Sequence, residues 1–173
     1  MKSLFKIILL VIFYNSLFSQ SSWLFKSYIR YGFLFPHRPS LSYFNNRHIN
    51  EITFEVSKQL SDTNKWHKLY RFPNFGAGLY FAELPSNLYT GNSIAGYGFI
   101  DIPIQWNKKH SFNYSIASGF AYLTKHFNKS DNYYNIAIGS SLNAFINFGI
   151  HYCLYFNKLQ INTGISFTHY SNG

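Results

Sequence analysis

Apolar and polar residues alternate one for one over most of this chain, and that period restricts what it can fold into. Between residues 49 and 58, Ile52, Phe54 and Val56 share one parity, while Glu51, Thr53, Glu55 and Ser57 share the other. From 112 to 124, Phe112, Tyr114, Ile116, Phe120 and Tyr122 oppose Asn113, Ser115, Ala117, Gly119 and Ala121. Residues 142–156 repeat the rule, with Leu142, Ala144, Ile146, Phe148, Ile150, Tyr152, Leu154 and Phe156 in phase. Successive side chains on a strand point to opposite faces, so each segment reads as a β-strand with one apolar face. A helix needs apolar residues three and four apart, and no long window supplies them. Further strands are expected at 25–35, 75–83, 95–106 and 159–170, about seven in all. The fourth changes parity near Ile100, where a β-bulge is expected.

Composition decides which way the apolar faces point. Aromatic residues make up 21% of the chain and charged residues only 12%, against about 25% charged in an ordinary soluble domain. In a soluble sandwich the large faces would meet in a core. In a small transmembrane barrel they face lipid, while Gly, Ala, Ser and Asn fill the interior. Strands of ten or more residues favour the membrane version. The connections also alternate in length: short at 107–111 and 157–158, long at 36–48, 84–94 and 125–141. That is the pattern of periplasmic turns and external loops, with 60–72 long where a short turn belongs. The expected fold is all-β, an antiparallel up-and-down outer-membrane β-barrel. Such barrels close with an even number of strands, so about seven strands suggest an eight-stranded type whose last strand is missing. So small a barrel has an interior filled by side chains, which argues against a porin.

The N-terminus reads as an address. Lys2 and Lys6 accompany an apolar stretch at 7–13 that gives way to small and polar residues, the layout of a secretory signal peptide. Residues 1–19 are therefore expected to be a leader and residues 20–173 the barrel domain. The net charge of +9 is spread over predicted turns, as at Lys65, His67 and Lys68 or Lys108, Lys109 and His110. Scattered charge of this kind suits solvated turns or anionic lipid headgroups, and no nucleic-acid platform is present. The single cysteine, Cys153, cannot form an internal disulfide and is expected to be a buried filler. Oligomeric state leaves no signal in the sequence.

The last predicted strand carries the candidate chemistry. His169 and Ser171 share parity with Leu159, Ile161, Ile165 and Phe167, so both are expected on the lipid face near the outer leaflet boundary. Residues two apart on a strand stand roughly 6.5 to 7 Å apart along the backbone, close enough for an imidazole to act as base for a hydroxyl. By itself, His-x-Ser also suits an interfacial ring beside a strand-end polar group. The longer run Phe167-Thr168-His169-Tyr170-Ser171-Asn172-Gly173 resembles the His-x-Ser-Asn motif of the PagL-type lipid A 3-O-deacylases, relatives of which are described as acyloxyacyl hydrolases. Residues 66–78, with Tyr70, Pro73, Gly76 and Gly78, are similar to that family, as is Ser141-Leu142-Asn143.

The resemblance implies an eight-stranded outer-membrane barrel that hydrolyses an ester-linked acyl chain of lipid A, within lipopolysaccharide, without metal or cofactor. It implies Ser171 as nucleophile, His169 as base and Asn172 as a motif residue. Family members also carry an acidic third triad member and an oxyanion-hole segment beyond the motif, and neither follows Gly173 here. Glu51, Glu55 and Asp101 are expected instead to make interior hydrogen bonds with residues such as Arg30. A site without its carboxylate is expected to be weak or inactive. Two other readings keep the period-two strands: a non-catalytic barrel for envelope stability or adhesion, and a soluble lipid-binding barrel with its faces reversed.

Overall fold

The computed structural model describes residues 23–36, 42, 44, 47–60, 64–107, 109–157 and 159–172; the expected leader, 1–19, lies outside them. The alternating segments form seven strands: β1 (Trp23–Gly32), β2 (Ile49–Gln59), β3 (Asn74–Glu83), β4 (Asn92–Trp106), β5 (His110–Leu123), β6 (Leu142–Phe156) and β7 (Leu159–Ser171). They lie in one sheet in sequence order, each antiparallel to the next. Polar turn chemistry sets the tight connections. The Asn107 carboxamide oxygen accepts from the backbone N–H of Lys109 (2.8 Å) and His110 (2.9 Å). Asn157 adopts φ +52°, a conformation asparagine tolerates better than most residues. The long segment at 60–72 contains a short helix, α1 (Lys65–Leu69).

The sheet is an inside-out half-barrel. Ile29, Ile165 and Phe120 are 89%, 79% and 71% exposed, whereas Thr53 and Asp101 are 0% and 1% exposed. In water such a distribution leaves a large apolar surface uncovered; in hydrocarbon it is the stable arrangement. Cys153 is fully buried, as expected for a filler.

The interior differs from expectation in one respect. Tyr80, Tyr97, Phe99 and Phe145 point inward and form an aromatic core towards the β3–β4 and β5–β6 connections, with Tyr97 stacked on Phe145 at 5.2 Å and Tyr80 against it at 5.1 Å. Large side chains thus share the lumen with the small ones. This also corrects the bulge expected near Ile100. From Ser93 to Pro103 the odd residues of β4 stay inward without interruption, and the register shift falls between Pro103 and Gln105. The apparent parity change arose because Tyr97 and Phe99 are large yet inward-facing, while their outward neighbours are Gly96 and Gly98.

Close approach around Tyr97 explains two glycines. A Cβ on Gly78 would strike the Tyr97 ring, and one on Gly119 would meet the Gly96 carbonyl and stand 2.6 Å from the Tyr97 Cα. The neighbours of Gly119 are backbone, so they yield only if the strands shift. Gly119→Ala is therefore expected to destabilise the barrel by about 1–3 kcal/mol, read as a lower urea midpoint of the detergent-refolded protein.

Among the described residues, β1 and β7 each pair on one side only. They run in the same direction, and Asn162 Nδ2 donates across to the Tyr28 hydroxyl at 3.3 Å. A cavity of about 180 Å3 opens between them, lined by Tyr28, Arg30, Asp101, His151 and Asn162 among others.

Candidate active site

The C-terminal end of β7 is held from within. Asn147 Nδ2 donates to the Thr168 hydroxyl at 2.8 Å, and Tyr170 packs inward on Phe145 at 6.0 Å. With 168 and 170 committed to the lumen, strand geometry turns 167, 169 and 171 outward. His169 is exposed and Ser171 half-buried, on the same face as Leu159, Ile161, Ile165 and Phe167. In the ladder, His169 lies opposite Ile146, Ser171 opposite Ala144 and Phe167 opposite Phe148. The small side chain of Ala144 leaves the Ser171 hydroxyl open from the side of β6. The His169 ring and Ser171 hydroxyl therefore project side by side from an apolar wall. Neither has a hydrogen-bond partner among the described residues; catalytic hydrogen bonds often tighten only with substrate bound.

The acidic residues face the other way. Glu51 Oε1 accepts from the Tyr80 hydroxyl at 2.9 Å and Glu55 Oε1 from the Tyr97 hydroxyl at 2.8 Å. Asp101 takes Lys26 Nζ at 3.0 Å and Asn113 Nδ2 at 3.1 Å, with His151 Nε2 at 3.3 Å. Arg30 donates to the Thr53 hydroxyl at 2.8 Å and stands 3.8 Å from Glu51. These are the interior contacts expected of Glu51, Glu55 and Asp101. The sheet lies between all three and His169, and no carboxylate is paired with His169 among the described residues.

Asn172 turns back onto the loop between β5 and β6. With its carboxamide oriented so that the oxygen meets donors, Oδ1 accepts from the backbone N–H of Gly139 at 2.8 Å and of Ser140 at 3.1 Å. The sequence placed His169 and Ser171 on the outward face by parity but missed both anchors. Tyr170 was legible from its even parity. The Gly139 contact was not, since it joins residues 33 apart that no period relates.

An exposed histidine and a half-buried serine thus share the apolar face of an up-and-down barrel wall. Residues 52–173 match the lipid A 3-O-deacylase (PagL) family, and the chain belongs to it. The family consists of outer-membrane β-barrel enzymes that hydrolyse an acyl ester of lipid A. The matched stretch runs from β2 through the whole of β7 and includes His169, Ser171 and Asn172. No curated protein and no solved structure matches the chain.

Proposed function

We propose that this chain is an outer-membrane serine esterase that removes an ester-linked acyl chain from lipid A, with Ser171 as nucleophile and His169 as its base. The observation that carries the reading is that both side chains share the face of Ile161, Ile165 and Phe167 at one end of β7. A nucleophile there meets acyl chains at the boundary between hydrocarbon and headgroups, where water is still available.

Ser171 Oγ attacks the ester carbonyl carbon as its proton passes to His169. The tetrahedral intermediate collapses with cleavage of the bond to the sugar oxygen, which takes the proton from His169. Water, deprotonated by the same imidazole, then attacks the acyl-serine and releases a fatty acid and free Ser171. A carboxylate beside the imidazole would hold its tautomer and stabilise its cation, and its loss can slow such a site by about 10⁴-fold. Residues 1–19 act as the export signal in this reading, and the half-barrel remains in the membrane until detergent is added.

Mass spectrometry of lipid A tests this in cells that express the chain. A species lighter by one acyl chain is expected, absent from vector controls. Unaltered lipid A, with the protein present in the outer-membrane fraction, would overturn the proposal.

A further inference from the structure

We infer that Gly139 is a positioning residue for the Ser171 site, acting through Asn172; the inference rests on the serine-esterase reading. Asn172 follows Ser171 directly, at the end of β7 where no ladder bond continues. The two hydrogen bonds from Gly139 and Ser140 to its carboxamide oxygen fix the residue next to Ser171. They can form because residue 139 lacks a side chain: a Cβ there would stand 2.6 Å from the nearer terminal atom of the Asn172 carboxamide.

The donor pair sits on a firm platform. Asn135 is fully buried, donates to the Tyr89 carbonyl at 2.7 Å and accepts from the Ile138 N–H at 3.2 Å. Asn132 donates to the same Tyr89 carbonyl at 2.9 Å and to the His126 carbonyl at 2.8 Å. Asn143 Nδ2 holds the Ser140 carbonyl at 2.8 Å, and Phe127 N–H reaches the Ile138 carbonyl at 2.7 Å. The β5–β6 loop is thereby tied to the β3–β4 loop and to the base of β6, immediately ahead of Gly139. Two external loops thus hold the backbone at Ser171 in place, with Gly139 and Asn172 as the last link. Small displacements of a nucleophile are costly: about 1 Å can lower rate 100-fold.

The test compares Gly139→Ala, Asn172→Ala and Asn172→Asp with wild type and Ser171→Ala. Each is refolded in detergent and assayed on lipid A in mixed micelles. Asn172→Asp retains an oxygen that accepts both N–H groups. Gly139→Ala and Asn172→Ala are expected to lower kcat by about 10- to 100-fold with KM nearly unchanged, while Asn172→Asp restores most of the rate. A general loss of folding would move all three together and appear in heat-modifiable gel migration. If Gly139→Ala does not fold, the Asn172 pair decides. Wild-type kcat in Gly139→Ala and Asn172→Ala, with Ser171→Ala inactive, overturns this inference and leaves the esterase standing. No hydrolysis by the wild type overturns both.

Discussion

Replacing Ser171 with alanine is expected to abolish lipid A deacylation, with kcat falling by roughly 10³- to 10⁶-fold. The hydroxyl is the only atom of that side chain able to form the acyl intermediate, and truncation to alanine leaves the outward face and the ladder partner Ala144 undisturbed. The barrel should therefore refold normally, and the loss should lie in chemistry. His169→Ala is expected to come close to the same floor. The double variant should be no worse than either single one, because the two residues act as one unit. Initial rates of fatty-acid release from lipid A micelles check this, with heat-modifiable gel migration confirming the fold. Additive losses, or a Ser171→Ala variant with wild-type turnover, would remove the dyad from the account.

The second large effect lies in the lumen. Asp101 is the common partner of Lys26, Asn113 and His151, and it is almost completely buried. Asp101→Ala strands the Lys26 ammonium, itself only 8% exposed, without its counter-ion. Breaking a buried ion pair from one side costs about 3–5 kcal/mol. The urea midpoint of the detergent-refolded protein, followed by tryptophan fluorescence, should fall accordingly. Replacing both partners together, as Lys26→Met with Asp101→Leu, should recover part of the loss, because the buried ammonium is then no longer left without its counter-ion. The site on the opposite face of the sheet predicts little change in kcat for whatever fraction stays folded. A single variant as stable as wild type would show that the ion pair does not support the fold.

How far the sequence could be read depended on the range of each signal. Alternation is local, so the strands and their faces were legible: β6 was placed to the residue, and the outward parity of His169 and Ser171 followed from Leu159 onward. Side-chain size proved a poorer guide to facing than period. Tyr97, Phe99 and Phe145 are as large as the lipid-facing residues, yet they fill the lumen, where Gly78 leaves room for the Tyr97 ring and Gly119 for the Tyr97 backbone and Cβ. That compensation joins three strands and cannot be seen along one. The helix at Lys65–Leu69 was missed because five residues are too few to establish a 3.6 period. At the site, the motif gave the proposed pair by adjacency. The support behind it, Tyr170 on Phe145 and Asn172 on the Gly139–Ser140 backbone, depends on pairing between β6 and β7 and on loop packing.

The central claim is that Ser171 is a nucleophile reached from hydrocarbon, and covalent trapping tests it directly. A long-chain alkyl phosphonate ester, dissolved in vesicles that carry the folded protein, delivers its electrophilic phosphorus to groups on the lipid face. Peptide mass spectrometry should then find the adduct on Ser171, lost in Ser171→Ala and diminished in His169→Ala. An unmodified Ser171, or an adduct on a lumen-facing hydroxyl such as Ser115, would contradict it.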